Sequence, residues 1–162
     1  MERIKIRSIE QKDDKAMAKI LRDNLEKYHL DIPGTAYYDP ELDHLSEYYA
    51  KKSQEGTYFI AETEEGEVVG GIGMEVFAGF QSCGEIQKLY VLEKSKRQGL
   101  GQRLLEQIES YAKEKGLERL YLETHSNLQE AVRLYERNGY GKIERPKEVV
   151  HSTMDLFYRK EL

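Results

Sequence analysis

The segment Lys96-Arg97-Gln98-Gly99-Leu100-Gly101 runs straight into Gln102-Arg103-Leu104-Leu105-Glu106-Gln107-Ile108, an amphipathic pattern. No other part of the chain limits its fold as strongly. Glycine leaves backbone N–H groups open to close approach and tolerates turns that other residues resist. A helix that starts there adds unpaired donors and a partial positive charge. The segment reads as an anion cradle suited to a phosphate. Upstream, Gly84-Glu85-Ile86-Gln87-Lys88-Leu89-Tyr90-Val91-Leu92 has the apolar, β-branched character of a strand. A strand, a short basic loop, a Gly-x-Gly turn and a helix therefore follow one another.

Two common phosphate motifs are excluded. The P-loop needs a Lys-Ser or Lys-Thr pair after its last glycine, where Gln102-Arg103 stand. The dinucleotide fingerprint needs a third glycine where this chain has Leu104. Downstream, Ala112-Lys113-Glu114-Lys115-Gly116 ends the helix with cations and a glycine. A strand follows from Leu117 to Thr124, with Leu120 and Leu122 alternating against polar positions. Then Asn127 to Tyr140 reads as a helix, with Leu128, Ala131, Val132 and Tyr135 at helical spacing.

This series resembles the GNAT superfamily of N-acetyltransferases, over roughly residues 58 to 145. The family motif Gln/Arg-x-x-Gly-x-Gly/Ala has Lys96 at its first position here, and the later pattern Ala-x-x-Leu-Tyr-x-x-x-Gly-Tyr/Phe matches Ala131, Leu134, Tyr135, Gly139 and Tyr140. The resemblance implies an α/β fold of the α+β kind. It has a mixed, mostly antiparallel central sheet flanked by helices, with parallel fourth and fifth strands that splay apart. It also implies acetyl-CoA as cosubstrate. The pyrophosphate would lie against the loop formed by Lys96, Arg97, Gln98, Gly99, Leu100, Gly101, Gln102 and Arg103, and the pantetheine arm would pair with the exposed strand like an added strand.

At 162 residues and 39% hydrophobic content, the chain suits one domain, 1–162, with a sizeable core. No apolar run approaches the ~18 residues of a membrane span, and Met1 to Ile6 leads into strand sequence rather than a signal peptide. A cytoplasmic protein with no membrane partner is expected. The net charge of −5 argues against nucleic acid as a partner. Lone Cys83 has no partner within the chain, and no Cys or His cluster has metal spacing, so neither a disulfide nor a metal is expected.

Further signals order the rest. Ile4 and Ile6 begin a strand. Asp13 or Asp14 can cap a helix carrying Met17, Ile20, Leu21 and Leu25. A loop from His29 to Pro40 contains Pro33-Gly34 and Asp39-Pro40, and Glu41 to Lys52 suggests a short helix. A hairpin joins Thr57–Glu62 to Glu67–Val76, whose Gly70, Gly71 and Gly73 indicate a bulge or close packing. His151 to Arg159 alternates as a closing strand. The expected order is β-α-α-β-β-β-α-β-α-β-β.

Acetyl transfer to an amine needs a neutral amine, a stabilised oxyanion and a proton for the leaving thiolate. The resemblance assigns Glu85 as general base and Tyr135 as general acid, a phenol that stays protonated at neutral pH. It places Asn127 against the cofactor, although Ser126 or Asn127 could equally cap the helix. A backbone N–H of Leu89, Tyr90 or Val91 would hold the oxyanion. Cys83 lacks an activating histidine and reads as a buried thiol. Of the scattered histidines, His125 stands nearest the fifth strand.

Tyr37, Tyr38 and Asp39 in the proline-bounded loop suit a cationic acceptor. The main expectation is transfer of an acetyl group from acetyl-CoA to a small primary amine by direct attack in a ternary complex. An acyl-CoA-binding regulatory module with little turnover and a protein or peptide N-acetyltransferase are the alternatives. Homodimers are common among proteins of this kind.

Overall fold

The computed structural model describes residues 3–162. The expected element order is observed: β1 (Ile4–Ser8), α1 (Asp14–Lys27), α2 (Leu45–Lys51), β2 (Gly56–Thr63), β3 (Val68–Val76), β4 (Cys83–Val91), α3 (Leu100–Glu114), β5 (Arg119–Thr124), α4 (Gln129–Arg137), β6 (Gly141–Ile143) and β7 (Leu156–Glu161). The strands form one seven-stranded sheet in the order β1-β2-β3-β4-β5-β7-β6. Among the described strands only the β4–β5 pair is parallel.

Period-two alternation gives the sheet two apolar faces. Phe59, Ile72, Ile86 and Leu122 face Leu104, Leu105 and Ile108 of α3, and Tyr135 of α4 joins the same cluster. Tyr58 and Ile60 face the other way, onto Met17, Leu21 and Leu25 of α1 and Leu45 of α2. A smaller cluster of Phe77, Cys83, Tyr121, Met154 and Phe157 closes the β5–β7 end.

Neither Asp13 nor Asp14 caps α1 through its side chain, because both carboxylates bind elsewhere. Asp13 ends a 3-10 turn, Gln11–Asp13, and accepts from the Glu10 amide at 2.8 Å and from both terminal nitrogens of Arg7 at 2.8 and 2.9 Å. Arg7 also donates to Glu62 on β2, fastening the start of α1 to the sheet. Asp14 accepts from the Ser46 amide and hydroxyl at 2.9 and 2.6 Å, which joins α1 to α2.

The glycines of β3 serve both expected purposes. A β-carbon at Gly71 would lie 2.5 Å from Tyr58 Cε1, and one at Gly73 would lie 2.7 Å from Tyr58 Cδ2. Tyr58 crosses that bare patch and donates its hydroxyl to the Lys88 carbonyl at 2.7 Å. The register shifts there: Gly71 pairs with Tyr90 but Gly73 with Gln87, leaving an extra residue in β4. Lys88 takes the left-handed φ of 50° that such a bulge requires.

Several elements are shorter than expected: α2 begins only at Leu45, after a 3-10 turn over Leu42–His44, β5 begins at Arg119, and β7 and α4 are cut back further. Residues 151–155 turn rather than extend: the Met154 amide donates to the His151 carbonyl at 3.1 Å, and Thr153 and Asp155 bond to other loops. β7 therefore begins only at Leu156. α4 begins at Gln129 because Ser126 donates its amide and hydroxyl to Asp155 at 2.8 and 2.7 Å, and the Asn127 side chain donates to the Tyr28 carbonyl at 3.0 Å. Neither residue caps the helix, whose N-cap position is Leu128.

Candidate active site

Parallel pairing of β4 with β5 stops at Ile86 opposite Leu122, although both strands continue. Beyond it the strands separate, and the β4 bulge lies at the point of separation. A cleft of roughly 460 Å³ opens there, between the two strands and the start of α3. Leu89, Tyr90 and Val91 line it on one side, and Leu134 and Tyr135 of α4 on the other. The Leu92 amide donates to the Val69 carbonyl at 2.8 Å. Strand alternation then turns Tyr90 towards β3 and the Val91 N–H into the opening. Asn24 of α1 holds the Val91 carbonyl at 3.0 Å.

The glycine loop forms one end of the cleft. Gly99 precedes α3 with φ 78°, a conformation for which glycine is the natural residue. Gly101 has a second reason to be glycine: a β-carbon there would lie 3.1 Å from Leu134 Cδ2, so it also sets the approach of α3 to α4. Gln102 and Asn138 exchange two side-chain bonds of 2.7 Å across the same seam.

The loop cations are already paired. Lys96 lies over the Tyr28 ring at 5.1 Å and 2.9 Å from Glu93, which also bonds Lys27. Together they pull Glu93 down to about 2, chiefly through the hydrogen bonds from Lys27 and Lys96. Arg97 lies 2.9 Å from Glu130. Lys96, Arg97, Gly99, Leu100, Gly101 and Gln102 line the cleft, whereas Gln98, Arg103 and Asn127 do not. Arg103 bonds the Ile4 carbonyl at 2.9 Å instead. Arg133 and Arg137 add charge at this end. They escaped the sequence reading, though their i, i+4 spacing puts them on one helix face.

Tyr135 stands in the α4 wall of the cleft. It is 6% exposed, packs edge-on against Tyr140, and its hydroxyl makes no hydrogen bond among the described residues. Burial raises its pKa well above the ordinary tyrosine value, so the phenol keeps its proton. No buried side-chain oxygen or nitrogen among the described residues lacks a partner, so the Tyr135 hydroxyl is accessible from the cleft that the residue lines.

Glu85 lies on the α1/α2 face of β4, beside Gln87 (3.3 Å) but outside the residues that line the cleft. Burial and the neighbouring charge of Glu123 push it up to about 7. Gln87 also bonds Glu75 (2.8 Å) and accepts from Tyr49 (2.6 Å). Glu123 of β5, which sequence reasoning passed over, does line the cleft and accepts from Tyr121 at 3.1 Å.

The three loop residues expected to bind substrate separate. Tyr37 donates to Glu26 at 3.1 Å, Tyr38 is 61% exposed, and Asp39 turns inward to Lys88 and His151. His125 accepts the Asn127 amide at 3.0 Å and belongs to the turn before α4. The histidine near the cleft is His151, placed by the turn that replaced the expected strand.

The sequence profile of the acetyltransferase (GNAT) family matches residues 17–140. The chain belongs to the GNAT acetyltransferase family. The uncharacterized N-acetyltransferase YjgM of Escherichia coli K12 is 37% identical over 142 residues, 86% of this chain and 83% of that protein. A GNAT-family acetyltransferase from Staphylococcus aureus Mu50 superposes with a TM-score of 0.85 at 20% identity, over 99% of both chains. The PaiA N-acetyltransferase of Thermoplasma acidophilum, solved in complex with coenzyme A, gives 0.78 at 17% identity, again over 99% of both. The splayed parallel strands and the Gly-x-Gly helix start are thus the GNAT fold. No described helix is long and apolar enough to cross a membrane.

Proposed function

We propose that the 162-residue chain acts as one catalytic domain that moves the acetyl group of acetyl-CoA to a primary amine by direct attack within a ternary complex. The observation that carries this reading is the unpartnered Tyr135 hydroxyl, facing a cleft that the Gly99–Gly101 helix start also lines. The residues fit coenzyme A. Gly99 has nothing within 4 Å of where a β-carbon would stand, and Arg133 and Arg137 add cations beside the helix start. The complex of the Thermoplasma neighbour with coenzyme A supports the same assignment.

The cosubstrate supplies an acetyl thioester. In this reading the Val91 or Leu89 N–H takes the developing oxyanion. As the amine nitrogen bonds to the carbonyl carbon and the C–S bond breaks, the nitrogen's proton leaves towards Glu85 through water. Glu85, raised to about 7, is suited to accept it near neutral pH. Tyr135 protonates the departing sulfur and regains its proton from solvent. No acetyl-enzyme is needed: Cys83 lies in the separate Phe77 cluster, where burial pushes its thiol up to about 12.

Thiol release from acetyl-CoA over a panel of spermidine, kanamycin, amino-acid amides and short peptides tests the reading. Sequential kinetics with at least one of these amines is expected. Tight acetyl-CoA binding without turnover on any of them would instead mark a binding module.

A further inference from the structure

The loop from His29 to Pro40 and the connection between β6 and β7 meet beside the cleft, and two stitches hold them together. In the first, the Thr153 amide donates to the Gly34 carbonyl at 3.1 Å and its hydroxyl to the Pro33 carbonyl at 2.7 Å. The second is His151. Its Nε2 lies 2.9 and 3.0 Å from the two oxygens of Asp39, and its Nδ1 lies 3.3 Å from Glu123 Oε1. The His151 backbone N–H donates to that same Glu123 oxygen at 3.3 Å. A neutral imidazole has a single N–H, so donating to carboxylates on both sides requires the doubly protonated ring.

The chain of charges reaches from the acceptor loop to the reaction cleft. On one side of His151, Lys88 Nζ, with only 6% of its side chain exposed, sits 2.8 Å from Asp39 and 3.5 Å from Glu41. On the other side is Glu123, likewise 6% exposed, and both Lys88 and Glu123 line the cleft. The charged groups facing His151 are Asp39 from the loop, Lys88 and Glu85 from β4, and Glu123 from β5, whose other oxygen takes the Tyr121 hydroxyl. Burial opposes the ring's charge, but the bonds to Asp39 and Glu123 outweigh it and raise His151 to about 9.

We propose that His151 is a positioning residue for the acceptor: its imidazolium ties Asp39 to Glu123, holding the acceptor loop against the cleft and fixing the Glu123 carboxylate in the cleft wall where a cationic amine is received. The kinetic part rests on the acetyl-transfer reading; the clamp itself does not. Because the folded ring is raised above its unfolded value of 6.5, the clamp's contribution to stability is fully present below pH 6.5 and is lost, with the clamp itself, as pH rises through about 9.

Nitrogen-15 NMR of the imidazole ring in the full chain tests the clamp without any acceptor. His151 is expected to keep both ring protons well above pH 7 and to titrate lower in Asp39→Asn. Titration near 6.5, or a value unmoved by Asp39→Asn, would overturn it. Kinetics with whichever panel amine is turned over test the positioning role. His151→Ala should raise the amine KM by about tenfold or more while the acetyl-CoA KM stays within about twofold, and His151→Arg should recover part of the loss. An unchanged amine KM, or an equal rise for both substrates, refutes positioning. If no panel amine is acetylated, the acetyl-transfer reading fails, and the NMR titration still decides the clamp.

Discussion

Replacing Glu85 by glutamine should stabilise the protein and slow it, with each effect confined to a definite pH range. The carboxyl is raised from 4.5 to about 7 by burial first and by Glu123 second. A folded pKa above the unfolded one gives stability that is fully present below pH 4.5 and lost as pH rises through about 7. Above that, ionised Glu85 costs free energy. The gap corresponds to roughly 3 kcal/mol at ~1.4 kcal/mol per pH unit, and partial solvent contact reduces it to about 1–2 kcal/mol. The amide of Glu85→Gln never ionises, and its oxygen keeps an acceptor for Gln87, which donates to Glu85 Oε1 at 3.3 Å. Urea unfolding at pH 8.5 should therefore show the variant more stable by about 1–2 kcal/mol, with no difference at pH 4. As general base, Glu85 should contribute about 10²–10⁴ to turnover, and the ascending limb of kcat/KM near pH 7 should vanish in the variant. An ascending limb kept at the same pH would show that another group takes the proton. Equal stabilities at pH 8.5 would show that burial does not raise Glu85.

Tyr135→Phe should lower kcat by roughly 10- to 1000-fold at saturating acetyl-CoA with little change in stability, since the hydroxyl has no partner to lose; full turnover in stopped-flow assays of the chemical step would move the proton donor elsewhere. Gly71→Ala should cost on the order of 2–4 kcal/mol in chemical denaturation, because its β-carbon would meet the Tyr58 ring at 2.5 Å, and a neutral result would contradict the packing of that ring. Gly99→Ala, strained at φ 78° but free of steric contact, should cost about 1 kcal/mol of stability and weaken acetyl-CoA measurably by calorimetry. Gly101 is a poorer probe, since its substitution also presses on Leu134. Cys83→Ala should retain activity, and a trapped acetyl group on Cys83 would refute direct attack.

Local order made much of this protein legible. Apolar spacing at 3.6 and 2 residues predicted most helices and strands in sequence order, because each element's buried face is written into its own residues, but β6 (Gly141–Ile143) is largely exposed and carries no such pattern. The Gly-x-Gly turn is equally local: Gly99 takes its left-handed φ at the mouth of α3, as the spacing requires. Element ends were less legible. Asp13, Asp14, Ser126 and Asn127 are good caps by residue type, but each bonds a partner brought in by the fold or, for Asp13, the turn it closes.

The resemblance implied splayed fourth and fifth strands with Glu85 and Tyr135 beside them; only tertiary structure decided where the strands part and which charges surround the cleft. The opening beyond Ile86 depends on a bulge at Lys88, which depends on Tyr58 crossing the glycines of another strand. Glu123, His151 and Asp39 are separated by 28 and 112 residues along the pairs they form, so no spacing could join them. Periodicity records which face of an element is buried, and the sequence by itself determined that much. Which charges meet across 112 residues, and how far burial shifts their protons, depends on the packing of the whole sheet and its loops. Desolvation and Coulomb interactions act through space, without regard to position along the chain.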